Sequence, residues 1–253
     1  MERPANPGRA CRVGPSAVGV ALTLLAPVAL SAQGAGPRVE IHAYGGRSWT
    51  QPSDLVLSSG PRRIELRDVA WREEPFQQPL YWGARLLLWL PGGAWGALVD
   101  FTHAKLTATA SQPVRTVVRG EGAPLDLVQP LGETIERFRM THGYNIVTLG
   151  GLGRFGNGRR VSPYVGLGGG VVIPHVEALI QGAATSRYQW GGFAARATAG
   201  LGIGVVGRLR LFCDYGVVLA RSELVVEPTS TLEVPALTHT LNLGLAVRLL
   251  GAD

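Results

Sequence analysis

The segment SPYVGLGGGVVIPHVE, from Ser162 to Glu177, decides the fold class of this chain. Its odd-numbered positions carry apolar residues such as Val165 and Leu167, while several even-numbered positions, such as Gly168, carry glycine. This period of two residues is typical of a β-strand. A soluble sandwich would carry polar side chains on its second face, whereas a narrow closed barrel requires small residues inside, where strands curve tightly. The segment therefore predicts a small barrel with its apolar face outward.

The composition of the whole chain also favours a membrane barrel. Hydrophobic residues make up 46% of the 253 residues, charged residues make up only 17%, and glycine occurs 35 times. After residue 32, however, no apolar run approaches the roughly 18 residues that a transmembrane helix requires. An apolar, glycine-rich chain with alternating segments and no spanning helix is typical of a transmembrane β-barrel.

The N-terminal segment is typical of a secretory signal peptide. Three arginines precede an apolar run at 17–30, and the small residues Ser31 and Ala32 follow it. We expect cleavage near Ala32. Residues 1–32 would then be removed, and residues 33–253 would form a single outer-membrane β-barrel domain.

The charged residues indicate which binding partners to expect, and the cysteines indicate whether disulfides form. Without the net charge of +2 in the signal segment, the formal charge of +6 falls to about +4. Lys105 is the only lysine, so nearly all the positive charge is guanidinium, which matches phosphate geometry. Because no zinc-finger spacing, basic helix or aromatic RNA platform occurs, we expect lipid phosphates rather than nucleic acid. Cys213 would be the one cysteine left after cleavage, which excludes a disulfide framework.

Alternating segments predict eight antiparallel strands in an all-β, up-and-down barrel. They lie at about 39–49, 80–90, 95–109, 136–155, 160–177, 186–206, 209–227 and 237–249. The connections at 91–94, 156–159 and 206–208 are short, and those at 50–79, 110–135, 178–185 and 228–236 are longer. Bacterial outer-membrane barrels have short periplasmic turns and long extracellular loops, so we expect this chain in the outer membrane of a Gram-negative bacterium.

The same alternation places charged side chains of both signs inside the barrel. They are Glu40, Arg85, Asp100, Arg196, Arg210, Asp214 and Arg248. An eight-stranded barrel is only wide enough to be filled by side chains, so we expect these charges to pair and plug the lumen. Above the membrane, the alternation around Ile64 and Leu66 predicts a short strand that extends the wall. The segment 121–132 is predicted to be a surface loop.

Four histidines fall where strands meet the predicted extracellular rim: His103, His142, His175 and His239. Strict alternation turns all of them except His142 outward, together with Glu177. Pro174 cannot donate a ladder hydrogen bond, so a bulge there could instead turn His175 into the barrel mouth. Facing outward, imidazole and carboxylate would meet a lipid headgroup, and facing inward they could hold a divalent metal ion. The spacing leaves both geometries open.

Several segments of the chain, in the same order, resemble one known family. They are DVAW at 68–71, PLYWGAR at 79–85, WG at 95–96, DFTHAK at 100–105, HGYNIVTL at 142–149 and the opening segment at 162–177. Together they resemble the lipid A oxidase family of outer-membrane barrels, with DFTHAK and PHVE as the most specific parts. The resemblance implies an enzyme that oxidises the proximal glucosamine of lipid A to an aminogluconate unit, with molecular oxygen as co-substrate.

The rim position predicts which side chains carry this chemistry. We expect five residues near the reacting sugar, namely His103, His142, His175, Glu177 and His239. Lys105 and Arg139 are expected to pair with lipid phosphates, and a divalent metal ion is a candidate cofactor. The partner would be lipid A or lipopolysaccharide, and the protein would be a monomer. Convergence of His103, His175, Glu177 and His239 within a few ångströms would favour the metal site, and a scatter around the outside would not.

The alternative is a non-catalytic structural or adhesive eight-stranded barrel. Its extracellular loops would bind a partner, and its histidines would be ordinary wetted rim residues. No Gly-x-Ser-x-Gly elbow, His-Glu-x-x-His helix or phosphate-binding loop occurs, so hydrolase, zinc-protease and nucleotide-binding functions lack their motifs.

Overall fold

The computed structural model describes residues 36–120, 123–156, 160–226 and 229–250. The signal peptide predicted at 1–32 lies outside these residues. The described chain is almost entirely β-strand, with a single short 3-10 turn at Leu131–Glu133. None of its helical segments has the length and apolar character needed to span a membrane.

The strands are named in chain order. They are β1 (Arg38–Thr50), β2 (Ser53–Ser59), β3 (Arg62–Val69), β4 (Trp71–Arg72), β5 (Trp82–Trp89), β6 (Trp95–Ala108), β7 (Pro113–Arg119), β8 (Leu125–Pro130), β9 (Arg137–Arg154), β10 (Val161–Ile180), β11 (Ala183–Tyr188), β12 (Gly192–Val206), β13 (Leu209–Val226) and β14 (Ser230–Leu250).

Eight of these strands form a closed ring. The ring order is β1, β5, β6, β9, β10, β12, β13 and β14, each strand pairs antiparallel with the next, and β14 pairs back onto β1. At membrane level, closure leaves no free strand edge in the barrel wall. The predicted eight-stranded, antiparallel, up-and-down barrel is confirmed.

Short turns cluster at one end of the barrel. The turn at 91–94 joins β5 to β6, and Gly207 and Arg208 join β12 to β13. Arg38, which begins β1, lies at this same end beside Trp89. The short turn predicted at 156–159 falls largely outside the described residues. By the architecture of outer-membrane barrels, the end with short turns is periplasmic.

Between this end and the opposite rim, the outward face is apolar. Leu167 on β10 is 74% exposed, and Leu86, Val99, Leu201 and Leu243 are exposed on other strands. A continuous exposed apolar surface of this kind requires lipid around it. The closed ring, the apolar outer band and the short turns at one end make this chain an outer-membrane β-barrel.

The inner face of the same region shows why it is poor in large residues. A Cβ atom added at Gly170 would lie 1.8 Å from the carbonyl oxygen of Val147 on the neighbouring strand. The two backbones approach too closely there for any other residue. The glycines on the inward side of β10 therefore allow the narrow curvature that the opening sequence segment predicts.

The apolar side of the strands reverses above the rim. In β14, Leu241 and Leu243 face lipid, whereas Leu232 and Val234 face the interior and are fully buried. In β13, likewise, Leu219 faces outward, while Leu224 and Val226 are buried inside. The alternation of two residues continues without a break, but the apolar residues pass from the lipid face to the interior.

This reversal corrects several predicted strand ends. β10 continues to Ile180, and β14 begins at Ser230, so much of the predicted loops at 178–185 and 228–236 is strand. The sequence interpretation followed lipid-facing residues, and it stopped where those residues become polar. The barrel wall therefore extends well beyond the membrane.

Two hairpins from the long loops add an extracellular sheet to this extended wall. β2 pairs with β14, and β3, β7 and β8 follow in order. The predicted short strand around Ile64 and Leu66 is confirmed as β3, and both side chains are buried. The surface loop predicted at 121–132 is wrong in part, because β8 lies within it.

The extracellular half encloses the main apolar core. Its fully buried members include Leu55, Leu66, Leu106, Leu131, Phe138, Met140, Tyr144, Leu224 and Leu232. They come from the barrel strands and from the extracellular hairpins. The hairpins therefore cover the interior of the extended barrel.

At membrane level, paired charges fill the lumen. Nη1 of Arg85 donates to Asp214 at 2.5 Å, and Nη1 of Arg196 donates to Asp100 at 2.5 Å. Arg85 also pairs with Asp100 through Nε. All four side chains are almost fully buried, and they join β5, β6, β12 and β13. The predicted plug of paired charges is confirmed.

The remaining predicted lumen charges lie toward the periplasmic end. Oε2 of Glu40 accepts from His42 at 3.1 Å, and Arg210 donates to Oγ of Ser162 at 3.2 Å. Arg248 is partly exposed beside them. These contacts continue the filled interior below the central plug.

One predicted strand, at 186–206, is broken in the structure. β11 folds back onto β10, and β12 begins only at Gly192, whose φ of 113° is in the region that favours glycine. Between them, the side-chain amide of Gln189 accepts from the N–H of Val225 at 2.8 Å and donates to its carbonyl at 3.2 Å. The Gln189 side chain thereby makes the two hydrogen bonds with Val225 that a neighbouring strand would otherwise make, because β12 does not extend to this part of β13.

Candidate metal centre at the outer rim

A bulge in β9 shapes the outer rim. Tyr144 pairs with Pro174 and Arg139 pairs with Glu177, so four residues of β9 lie opposite two residues of β10. Gly143, within the bulge, has φ 137°, and a Cβ there would lie 2.4 Å from the amide of Asn145. Only glycine fits this backbone, which leaves the preceding side chain, that of His142, exposed on the outer surface.

β10 itself keeps strict alternation through the rim. His175 and Glu177 face outward, and Val176 between them is fully buried in the barrel. The outward of the two predicted geometries is therefore the observed one. The bulge expected at Pro174 lies in the partner strand β9 instead, so His175 does not turn into the mouth.

Three of the predicted site residues converge on this outer wall. Nδ1 of His142 lies 2.6 Å from Oε1 of Glu177, and Nδ1 of His175 lies 3.8 Å from the same oxygen. One ligand atom from each of the three residues lies within 4.8 Å of the others. Imidazole nitrogens and a carboxylate oxygen are ligands that zinc and iron prefer. We call His142, His175 and Glu177 the rim triad.

The geometry of the rim triad fits a divalent ion. Nδ1 of His175 is buried and has no hydrogen-bond partner in the described part of the chain, and 3.8 Å from Glu177 is too long for one. A tetrahedral ion about 2.0–2.2 Å from each ligand holds the ligand atoms roughly 3.3–3.6 Å apart. The observed separations of 2.6 and 3.8 Å bracket that range. A bound ion would also give the unpartnered nitrogen a ligand bond.

Neighbouring side chains hold the rim triad in place. Nε of Arg139 donates to Oε2 of Glu177 at 2.7 Å, and the hydroxyl of Thr141 donates to Oε1 at 3.2 Å. Burial opposes ionisation of Glu177, but the hydrogen bonds from His142 and Arg139 outweigh it and hold the pKa of this carboxyl below its usual value. Glu177 therefore stays an anion, as a metal ligand must.

Tyr188 supports the two histidines from β11. Its ring packs edge-on against His175, with centroids 4.7 Å apart, and its hydroxyl donates to the carbonyl oxygen of His142 at 3.0 Å. The sequence interpretation missed both Tyr188 and Thr141. Only the reversal of the chain at Gln181 and Gly182, both with positive φ, brings Tyr188 beside β10.

His103 lies at the same level but outside the rim triad. Its Nδ1 contacts Oδ1 of Asn145 at 2.9 Å, and its ring stacks beside Trp82 with centroids 6.1 Å apart. β6 is two strands from β10 in the ring, which corresponds to roughly 10 Å at about 4.8 Å per strand. The structure does not bring His103 together with His175.

His239 lies farther around the wall. β14 is three strands from β10, and there Nδ1 of His239 contacts the hydroxyl of Tyr215 at 2.5 Å while Nε2 contacts Gln51 at 3.1 Å. The ring also stacks on Trp49 with an interplanar angle of 11°. Thus His239 belongs to an aromatic rim cluster of its own. The convergence of His103, His175, Glu177 and His239 that would favour a metal site is not observed, and the structure brings together His142, His175 and Glu177 instead.

The two predicted phosphate ligands are both engaged by protein. Lys105 is buried under the segment 74–81, where its ammonium donates to the carbonyl oxygen of Gln77 at 2.9 Å. Burial lowers the pKa of Lys105 from its usual value. Arg139 pairs with Glu177, yet its side chain remains partly exposed at the edge of the rim triad.

No protein-family model matches the sequence, and no curated protein matches it either. Solved structures with a similar fold include Neisserial surface protein A, at 12% identity over 86% of this chain and 100% of that one, with a TM-score of 0.39. Ail of Yersinia pestis, solved with the heparin analogue sucrose octasulfate, matches at 12% identity, 84% and 99% coverage, and a TM-score of 0.34. AlkL matches at 15% identity, 87% and 93% coverage, and a TM-score of 0.46. Likenesses of this size say nothing about function.

Proposed function

We propose that this outer-membrane barrel is a lipid A oxidase, which acts on the proximal glucosamine in the outer leaflet with molecular oxygen. The observation that supports this proposal is the rim triad, which faces outward directly above the apolar band. Two histidines and one carboxylate with open positions are the ligand set of non-haem iron(II) oxygenases. The segments DFTHAK and PHVE, which carry the family resemblance, include rim residues.

The position of the rim triad suits a lipid substrate. Ile173 is the last exposed apolar residue of β10, and His175 is the next residue on the same face. Two residues of strand advance about 7 Å, so the imidazole lies just beyond the hydrocarbon. Sugars and phosphates of outer-leaflet lipid occupy this layer. A substrate could reach the rim triad without leaving the membrane.

The chemistry divides between an ion and the protein. His142, His175 and Glu177 would hold the ion, and iron(II) in that site would supply activation of dioxygen. Arg139 and Tyr188 are positioning residues, because they fix Glu177 and His175. The outer part of the Arg139 guanidinium can also contact a lipid phosphate. Lys105 would reach a phosphate only after the segment 74–81 moved away from it.

The proposed reaction balances with oxygen as the oxidant. C1 of a glucosamine with a free anomeric hydroxyl loses two electrons and two protons and becomes a lactone. Dioxygen accepts both and becomes hydrogen peroxide. Water then opens the lactone to the aminogluconate, so the lipid gains one oxygen atom. The substrate must therefore lack a phosphate on C1.

The test uses the full chain in vesicles that contain lipid A with a free anomeric hydroxyl, iron(II) and oxygen. We expect a product heavier by one oxygen atom and an equal amount of peroxide. Mutation of a residue that supports metal ligands through hydrogen bonds lowers metal affinity or activity about 10–100-fold. His175→Ala or Glu177→Gln removes a ligand itself, so each should lower the rate of lipid oxidation at least as much. Glu65→Gln, which alters an ion-paired carboxylate of the extracellular sheet, is the matched control. An unchanged lipid mass with correctly folded protein would overturn the proposal.

A non-catalytic adhesive barrel is the second candidate function. The extracellular sheet ends at β8, where Val128 is 70% exposed and Leu125 and Leu127 are also exposed. An exposed apolar edge strand can add a strand from another protein. If this is the function, Val128→Lys should abolish cell attachment while Glu177→Gln leaves it intact. Because the barrel wall closes on itself, we propose a monomer in either case.

A further inference from the structure

A second feature of the rim is a groove of about 680 Å³ on the outward wall, next to the rim triad. Six of its lining residues matter here: Gln189, Trp190, Phe193, Arg221, Glu223 and Glu233. We call it the rim groove. Its volume is within the roughly 300–1,000 Å³ of small-molecule sites.

The rim groove exists because the wall lacks a strand at this point. β12 begins at Gly192, which pairs with Ser222, so the upper part of β13 has no β12 partner. The connection between β11 and β12 crosses the gap, held by Gln189 on Val225 and by the N–H of Glu223, which donates to the carbonyl of Gly191 at 3.1 Å. The groove is therefore part of the backbone architecture.

One wall of the rim groove is aromatic. Trp190 is 56% exposed and Phe193 is 73% exposed, and their rings meet edge to face with centroids 5.6 Å apart. Both rings line the groove, and each presents an exposed apolar surface. Such a surface packs well against the C–H face of a sugar ring, which is apolar, while leaving the hydroxyls free.

The rest of the lining is mostly polar, and Arg221 lies directly across the ladder from Phe193. Nη2 of Arg221 donates to Oε2 of Glu233 at 2.7 Å, and Glu223 lies directly across the ladder from Glu233. Arg187 also reaches this region, where its guanidinium donates to the carbonyl of Val225 at 3.3 Å, so two arginines and two glutamates leave no positive excess to select a phosphate. Carboxylates instead accept hydrogen bonds from hydroxyls, and the guanidinium donates to them. An acyl chain would use neither group, so the lining favours a hydroxyl-rich ring.

The rim groove is continuous with both the lipid-facing surface and the rim triad. Leu219 and Phe193 carry the apolar band up to its lower edge. On its other side, Tyr188 packs on His175 with centroids 4.7 Å apart, and the next residue, Gln189, lines the groove. A molecule in the groove is therefore held beside the membrane, and Tyr188 lies between the groove and His175 of the rim triad.

We infer that the rim groove binds a sugar of an outer-leaflet glycolipid. The acyl chains of the lipid lie along the barrel wall, and the sugar lies between the aromatic pair and the Arg221–Glu233 ion pair. Together with the proposed function, on which this extension rests, the substrate is then a glycolipid of at least two sugars. One sugar occupies the groove, and its neighbour reaches the rim triad.

The experiment measures binding of lipid A in vesicles to the full chain, with His175→Ala as the background so that no turnover occurs. On this background, Trp190→Ala should weaken lipid A binding at least about tenfold. Trp82→Ala is the matched control, because Trp82 is a rim tryptophan of similar exposure, 47%, on the far side of the ring. A phosphate-free, acyl-free glucosamine disaccharide should compete for the site, and phosphatidylglycerol vesicles should not.

Equal binding by the two tryptophan variants would overturn the inference, as would competition by phosphatidylglycerol alone. In the active background, Trp190→Ala should raise KM for lipid A while kcat changes little. The two proposals fail separately. If lipid A binding depends on Trp190 but no oxidation occurs, the sugar site stands and the oxidase proposal is wrong. If oxidation occurs but does not depend on Trp190, the oxidase proposal stands and the sugar site is wrong.

Discussion

Glu177 is the residue on which the proposed centre depends. It accepts hydrogen bonds from His142, Arg139 and Thr141, and it joins β10 to β9 through them. Burial raises its pKa and these partners lower it, with a net value below the ordinary 4.5. The carboxylate is thus a structural contact between two strands as well as a candidate ligand.

This depressed pKa predicts a pH dependence of stability. Near neutral pH, Glu177→Gln should unfold at a lower urea concentration than the parent protein. As pH falls below 4.5, the unfolded carboxyl binds a proton first, so the contribution of Glu177 declines and is lost once pH passes the lower folded-state pKa. Urea unfolding from vesicles across this range measures the difference. A gap between parent and variant that stays constant to about pH 2 would contradict the assignment.

At the scale of elements, the bulge in β9 brings the rim triad together. His175 and Glu177 share one face of β10 through alternation alone, but His142 joins them only because two extra residues of β9 are accommodated opposite Pro174. Gly143 provides the backbone conformation that makes this possible. The site is thus built by an irregularity in one strand against a regular neighbour.

Gly143→Ala should therefore weaken metal binding. The new Cβ would meet the Asn145 amide, and the φ of 137° is strained for alanine, at a cost of about 1–3 kcal/mol in unfolding free energy. We expect zinc affinity, measured by calorimetry, to fall at least about tenfold. Gly92→Ala is the matched control, because its φ of 85° is also positive, while open space surrounds it in the turn between β5 and β6 at the opposite end of the barrel. Equal zinc affinities of the two variants would refute the role of the bulge.

Across the whole molecule, the lumen plug ties opposite sides of the ring together. Arg85 on β5 and Asp214 on β13 meet across the interior, where both are nearly inaccessible to solvent. Removing one partner of such a pair leaves a buried charge without compensation.

We expect Asp214→Ala to lower the unfolding free energy by about 3–5 kcal/mol. The neighbouring Cys213→Ala changes a lipid-facing side chain and should cost much less. Heat-dependent migration on gels and urea unfolding both report the difference between folded and unfolded barrels. Similar stabilities for the two variants would show that the plug is dispensable.

The sequence predicts the membrane-level barrel well because lipid imposes the same alternation on every spanning strand. It also predicts the level of the rim, since His103, His175 and His239 mark where outward residues turn polar. The prediction of strand ends fails above the rim, because apolar residues such as Leu232 and Val234 face inward there rather than toward lipid. The predicted up-and-down order already places the strand of His239 three strands from that of His175, so the sequence indicates that His239 lies apart from the rim triad. The only residue in the sequence that indicates the β9 bulge is Gly143.

The reversal of the apolar side at the rim also fixes how far the barrel sits along the membrane normal. A shift inward by two residues, roughly 7 Å, would draw charges such as Glu177 and Arg221 into hydrocarbon, where the cost of an arginine rises from about 0–1 kcal/mol near the interface toward about 2–4 kcal/mol at the midplane. A shift outward would place Leu241 and Phe193 in water. Transfer free energy opposes both displacements. The bilayer thereby acts as a reference plane that sets the height of the rim triad before any substrate arrives.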